Sequence, residues 1–270
     1  MWKTDKAYYA DTTHISSSMI RAYLRSPAYY KALYIDKSVK GPDSPSIDFG
    51  QALDTLLTQG KRKFNQRFTK RVLKGDAPKA FEKLKTTKKT ILSADAYDMV
   101  FIAQATIRAT AAFQWLESHD TSSQLTLTGK LAGSPIKGRL DWLTIEGPVA
   151  YITDLKTTTN LHPTKYYYHC LDLSYALQMA LYRELVFQNY PQVEGVACQH
   201  LVVSKDSWPQ VATFTFHKDL LKKELFNIIG AIEGITAGKF EEKDVTWDNT
   251  NMLEDKYAVS TSESDTGEES

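Results

Sequence analysis

Apolar positions recur along this chain with two different periods, and the change from one to the other divides it. In the first 120 residues the spacing is helical. Ile20, Tyr23 and Leu24 follow Ile15-Ser16-Ser17-Ser18, whose serines can serve as N-caps, so a helix is predicted to start there. Pro27 fits the end of that helix or the first turn of the next, which runs through Tyr30 to Tyr34. Residues 38–46, with Gly41, Pro42 and Pro45, predict a loop. Phe49, Leu53, Leu56 and Leu57 recur at helical spacing and predict a short amphipathic helix over 48–58. From Ser93 to Trp115 the chain is Ala-rich and free of Gly and Pro, with Ser93 as cap. One long helix is predicted there.

After Thr121 the period falls to two. Leu125 to Thr128, Ile136 to Ile145 and Val149 to Thr157 are β-branched, alternating runs separated by Gly133-Ser134-Pro135 and Gly147-Pro148. They predict a three-stranded antiparallel meander. Leu173 to Tyr190 is helical, Val196–Val203 and Val211–Phe216 are two further strands, and a helix over 218–237 follows. No internal repeat is present. Helices, a meander, then helix, strands and helix predict an α/β (α+β) fold whose mixed central sheet is flanked by helices.

Composition narrows the picture. No run of about 18 apolar residues occurs, and the N-terminal Met1-Trp2-Lys3-Thr4-Asp5-Lys6 has no signal-peptide core. A cytoplasmic protein that does not engage membranes is expected. Cys170 and Cys198 are too few for a four-thiolate zinc or iron–sulfur site. No G-x-x-x-x-G-K-[ST] is present, so any reaction is expected to be independent of ATP. Residues 258–270 carry Glu263, Asp265, Glu268 and Glu269 and no basic residue, predicting a disordered acidic tail after a single domain over 1–257. Between Lys61 and Lys89 the balance reverses, with twelve basic residues, Lys61, Arg62 and Lys63 among them, against two acidic ones. That bias suits a polyanion partner, although on charge alone a solvated helical face is the better account.

The chemistry concentrates on two strands. Lys137-Gly138-Arg139-Leu140-Asp141 is followed by Ile152-Thr153-Asp154-Leu155-Lys156-Thr157-Thr158. Residues two apart in a strand share a face, so Asp154 and Lys156 project together and Leu155 packs behind them. Asp141, near the end of the neighbouring strand, can face Asp154. Two converging carboxylates repel unless a cation neutralises them, and Mg²⁺ takes one or two protein carboxylates together with phosphate and water. For a D-x-K triplet alone, a surface salt bridge is the simpler account. The next helix, however, places Tyr175, Gln178 and Tyr182 on one face, and a buried amide such as Gln178 requires partners.

In order, G-R-x-D, D-x-K-T-T and Q-x-x-x-Y resemble the PD-(D/E)XK nuclease superfamily, and within it the RecE (exonuclease VIII) and RecB-like phage-type exonucleases. The likeness runs from about Tyr8 to about Lys239 and includes Ile15-Ser16-Ser17-Ser18, Ser26-Pro27-Ala28 and Phe49 to Leu57. The resemblance implies a restriction-endonuclease-like core. It implies that Asp141, Asp154 and the Leu155 carbonyl bind one or two Mg²⁺ ions, with Mn²⁺ able to substitute, and that Lys156 is the catalytic lysine. Gln178 and Tyr182 would position Lys156 or the DNA strand, with Arg139 beside it. Ser18 and Arg21 stand where relatives hold a 5′-phosphate, although Ser18 also fits an ordinary N-cap. Asp54 stands where the branch has His or Glu, and Gln124 where it often has Glu, which bears on a second metal. The implied activity is degradation of the 5′-ended strand of linear duplex DNA. A homo-oligomeric ring, trimer or tetramer, would thread the DNA ends, with a single-strand annealing protein of RecT/Beta type as partner. A nicking endonuclease of the same core and a non-catalytic DNA-binding protein are the other readings.

Overall fold

In the computed structural model, residues 2, 5–42 and 44–241 are described. The expected domain end at 257 and the acidic tail lie outside them. The elements are α1 (Asp5–Ala10), α2 (Ser17–Arg25), α3 (Pro27–Tyr30) continuing into a π turn over Lys31–Ile35, α4 (Pro45–Thr58), α5 (Gly60–Arg67), β1 (Phe68–Lys70), α6 (Pro78–Thr86) and β2 (Thr90–Leu92). There follow α7 (Ala94–Arg108), α8 (Ala111–Ser118), β3 (Thr121–Leu131), β4 (Ser134–Glu146), β5 (Val149–Thr158), α9 (Pro163–Asp172), α10 (Tyr175–Asn189), β6 (Gly195–Ser204), β7 (Val211–Thr215) and α11 (Lys218–Thr236). Among the described residues no helix is long and apolar enough to cross a membrane.

A five-stranded sheet of order β3-β4-β5-β6-β7 forms the centre. β5 and β6 are parallel, and every other neighbouring pair is antiparallel. The expected meander is therefore present, and α9 and α10 form the crossover that a parallel pair requires. Ala132 and Gly133, both at positive φ (48° and 75°), make the two-residue β3–β4 turn, the type whose twist matches antiparallel strands. One core joins α2, α10 and α11 to the sheet through Ile20, Ile136, Leu140, Ile152, Met179, Leu185 and Ile228. A second core joins α4, α7 and α8 to it through Leu53, Phe64, Val100, Phe113, Trp142, Leu155 and Leu201.

Several expectations require correction. The helix predicted over 93–115 is two. Ser93 caps the first, with Oγ accepting from the Ala96 amide at 3.1 Å, but Thr110 turns extended (φ −80°, ψ 145°) and caps a second. That break sets Phe113 edge-on to Trp142, with ring centroids 5.8 Å apart. The tertiary contact outweighs the helix propensity of the segment. The helix predicted from Leu173 begins at Tyr175, because Ser174 is left-handed (φ 50°) and separates it from α9, a helix that the sequence pattern does not announce. Pro45, read as loop, is the first residue of α4, with Ser44 as its cap. Within the basic segment, β1 and β2 pair in parallel, Phe68 to Thr90 through Lys70 to Leu92, with α6 in the crossover between them.

One departure shapes the site. Ile136 and Leu140 face the first core, and so do Leu143 and Ile145, whereas Trp142 faces the second. The two-residue period of β4 therefore slips at Asp141. Opposite, Gln124 leaves the extended region (φ 49°) between the pairs Ser123–Trp142 and Leu125–Leu140. β4 and β5 pair only from Trp142–Thr153 to Glu146–Val149. Beyond that point the strands part, and Ile15 takes the free edge of β4, its amide donating to the Pro135 carbonyl and its carbonyl accepting from the Lys137 amide.

Candidate active site

The opening between β4 and β5 holds the charged groups. Because the ladder stops at Trp142, the Asp141 side chain fills the next position, and its Oδ2 accepts from the Leu155 amide at 2.8 Å. On β5, Asp154 is almost wholly buried and paired with the Lys156 ammonium. From α10, Gln178 Nε2 donates to Asp154 Oδ1 and to the Tyr182 hydroxyl, each at 2.9 Å. The Q-x-x-x-Y pair thus holds Asp154 rather than Lys156. Lys156 is steered instead by Tyr175, whose ring centroid lies 4.9 Å from the ammonium, a role that its helical spacing, equally fit for a core residue, does not reveal. Leu155 packs into the second core, as strand alternation predicts.

Asp54 approaches from α4. Gln124 Nε2 lies between it and Asp141, 3.0 Å from Asp54 Oδ1 and 3.2 Å from Asp141 Oδ1. The left-handed residue on β3 therefore carries the amide that spans the two acids, an irregular backbone at a functional site. Among the described residues, no three His, Cys, Asp or Glu side chains close into a metal cage.

Electrostatically the cluster lacks positive charge. Burial, then the charges of Asp154 and Asp54, push the Asp141 carboxyl well above the usual carboxylate range. Burial and then Asp154 push Asp54 up to about 6. Burial opposes the Lys156 ammonium, but Asp154 and Asp141 outweigh it and hold its pKa above the ordinary lysine value. Three acids face the Lys156 ammonium, with Arg67 acting on Asp54, so full ionisation still leaves excess negative charge in a poorly solvated space. Hard oxygen donors with that excess fit a hard divalent cation. Asp141 and Asp154 fit one such ion, whereas the Gln124 amide separates Asp54 from them.

These groups line one pocket of about 340 Å³, together with Tyr8, Tyr9, Asp11, Ser16, Ser17, Ser18, Met19, Arg21, Tyr34, Lys137 and Arg139. Ser16, not Ser18, is the N-cap of α2, and its side chain makes no capping bond. The Ser18 hydroxyl meets that of Ser16 at 2.9 Å, and Arg21 donates to the Leu173 carbonyl at 2.9 Å. Lys61, Arg62 and Lys63 are exposed on α5, outside the pocket. His200, on β6 in register with Asp154, is fully buried and bonded to the Tyr166 hydroxyl at 2.7 Å. Burial holds its pKa well below the usual imidazole range, so it is a neutral core residue.

Gly138 of the G-R-x-D strand has a steric purpose. A Cβ there would lie 2.8 Å from the Tyr182 ring and 2.7 Å from Leu185 Cδ1. Its absence lets α10 close on β4 and brings Tyr182 and Gln178 down to Asp154. Gly138→Ala is expected to cost about 1–3 kcal/mol of stability by overpacking, read from thermal melts, and to weaken any Asp154-dependent activity further by moving Gln178.

The chain matches a family model over residues 16–245, that of a PDDEXK-like domain of unknown function (DUF3799). The chain belongs to this family. Its mixed sheet with flanking helices is the restriction-endonuclease-like core of the PD-(D/E)XK superfamily. The crystal structure of a presumed exonuclease from Eubacterium rectale superposes with a TM-score of 0.63 at 19% identity, covering 88% of this chain and 87% of that one. At that identity the likeness shows a shared fold. A second solved structure, SSO0001, aligns over 89% of this chain and 94% of its own at 10% identity, with a TM-score of only 0.34. No curated protein matches the sequence.

Proposed function

We propose that this protein is a divalent-metal-dependent, ATP-independent DNA exonuclease. The observation that carries the reading is the Asp141–Asp154–Lys156 cluster, with Asp154 buried, at the opening of the sheet on a PD-(D/E)XK fold. Mg²⁺ or Mn²⁺, held by Asp141, Asp154 and the Leu155 carbonyl, would supply an activated water and stabilise charge on the phosphoryl oxygens. Gln178 and Tyr182 keep Asp154 oriented for that task. Lys156, steered by Tyr175, orients the attacking water or offsets charge at the scissile phosphate. Ser18 and Arg21 at the start of α2 suit a strand-end phosphate, since helix N-termini favour anions. Arg139 contacts the strand beside it. The further proposals of 5′-strand polarity, a ring of three or four subunits and a RecT/Beta-type annealing partner are supported by the resemblance in sequence.

The test compares linear with closed circular duplex DNA in Mg²⁺, followed strand by strand with 5′-phosphate, 5′-hydroxyl or blocked ends. Shortening of linear DNA with circles left intact is expected, and the 5′-ended strand should disappear first. Cutting of closed circles would replace this reading with an endonuclease.

The exposed basic helix gives an independent prediction. Replacing Lys61, Arg62 and Lys63 together by alanine should weaken duplex binding at low salt without changing the melting temperature. If all three face phosphates, the slope of log K against log salt should shrink by roughly 0.9 for each phosphate that is no longer neutralised. Unchanged slopes in a salt titration would show that this helix merely faces solvent.

A further inference from the structure

One wall of the pocket has a feature that the proposed hydrolysis does not use. α1 is six residues long, and a terminal helix of that length is not stable alone. It is held down by Lys137, a buried cation whose Nζ donates to the Tyr8 carbonyl at 2.5 Å, the Asp11 carbonyl at 2.7 Å and Asp11 Oδ2 at 3.2 Å. The ring of Tyr8 adds a face 4.6 Å from the same ammonium. A buried lysine is rare and costly, and here it fixes two adjacent tyrosines at the pocket wall.

Those tyrosines differ. Tyr8 is buried, with the Arg139 guanidinium 4.2 Å from its ring centroid. Tyr9 is 71% exposed, edge-on to Tyr8 at 5.2 Å and 5.5 Å from Arg139. Arg139 lies two residues before Asp141 on β4, so this aromatic–guanidinium stack adjoins the candidate reacting centre. Single exposed aromatics are common on protein surfaces. Tyr9 is set apart by sharing the pocket of Asp141, Asp154 and Lys156 and by its anchored backing.

We propose that Tyr9, backed by Tyr8 and Arg139, is a stacking platform for the unpaired base of the terminal nucleotide at a DNA strand end. The inference rests on the nuclease reading and extends it to what the pocket does with the base. A phosphate placed at the carboxylates leaves the attached base to be housed within a nucleotide's length. A tyrosine face accepts any base, because stacking is tolerant of sequence. Bases inside a duplex have both faces covered by their neighbours, whereas a terminal base can separate and present one. The platform thereby favours ends over interior positions.

The test uses the full chain with Ca²⁺ in place of Mg²⁺, on short duplexes carrying 2-aminopurine at the terminal nucleotide or ten base pairs inside. Wild-type protein is expected to quench the terminal probe and leave the interior one unchanged. Tyr9→Phe and Tyr9→Trp should retain the quench. Tyr9→Leu should abolish it and weaken binding of the blunt duplex about tenfold, with an unchanged melting temperature, since the side chain is exposed. Lys137→Met, with Tyr9 intact, should also lose the quench. Quenching by Tyr9→Leu equal to wild type, with normal binding, would overturn the platform and leave the nuclease reading standing. Failure of wild-type protein to bind duplex ends at all would overturn both.

Discussion

Lys156→Ala is expected to reduce Mg²⁺-dependent nucleotide release from linear duplex DNA by about 10³-fold or more while leaving duplex binding within a few-fold of wild type. The ammonium is the sole side-chain cation bonded to the carboxylate cluster among the described residues, so its loss removes the group proposed to orient water or offset phosphoryl charge. On the proposed reading, affinity for the duplex would rest mainly on phosphate contacts outside the pocket, so binding and cutting should separate. Removing one member of a buried ion pair also destabilises, by about 3–5 kcal/mol in unfavourable cases. Binding and cleavage are therefore measured well below the melting temperature of the variant. Lys156→Arg, which keeps the charge but not the compact ammonium, should also cut poorly, because a planar guanidinium does not reproduce a point charge. Wild-type cleavage by Lys156→Ala would contradict the assigned role.

The second large effect has opposite signs in activity and stability. Asp141→Asn should abolish cleavage, again by about 10²–10³-fold or more, yet raise the melting temperature in chelator at pH 7.5. In the metal-free protein Asp141 is held well above the normal carboxylate range by burial and by Asp154 and Asp54. Each unit of such a shift costs the folded state about 1.4 kcal/mol, accumulated as the pH rises from the unfolded to the folded pKa. A neutral amide escapes that cost while its oxygen can still accept from Leu155. A gain of even 1 kcal/mol is roughly 2–4 °C in a chain of this size. The pH dependence follows the same direction. Asp54 rises from 3.8 to about 6, so between these values the folded protein holds more protons than the unfolded chain, and this contribution to stability declines as pH rises through the window. Asp11, lowered to about 2, acts at lower pH. His200, kept neutral by burial, acts in the opposite sense below its ordinary range. The informative quantity is thus the difference between variant and wild type, which should widen from pH 5 to 7.5 in chelator and shrink in saturating Mg²⁺. A variant less stable than wild type at pH 7.5 would show that the carboxylates do not repel as described.

The candidate site is the more legible part of the molecule, for a physical reason. Asp154 and Lys156 lie two apart on one strand, and Gln178 and Tyr182 four apart on one helix, so local periodicity alone places each pair on a face. The meander is legible because Gly133 and Gly147 mark turns that need positive φ. The misses are tertiary in origin. The break at Thr110 exists to seat Phe113 on Trp142. Ser174 turns left-handed between α9 and α10 with no glycine to announce it. The slip at Asp141 and the left-handed Gln124 cancel in the register of β3 and β4, so neither strand shows it on its own. In sequence Gln124 is one polar residue in an alternating strand, and only the fold reveals its amide lying between Asp54 and Asp141. Lys137 reads in sequence as one more basic residue, although it is among the most deeply buried side chains.

The proposed activity requires a divalent cation to meet Asp141 and Asp154 at the opening between β4 and β5. The most direct measurement is anomalous scattering from crystals grown with Mn²⁺, at a concentration that supports cleavage of linear duplex in solution. A peak within about 2.0–2.6 Å of oxygens from both carboxylates, absent in Asp141→Asn, is the predicted result. Crystals of cleavage-competent protein with no Mn²⁺ between these two side chains, or with the ion bound elsewhere, would contradict it.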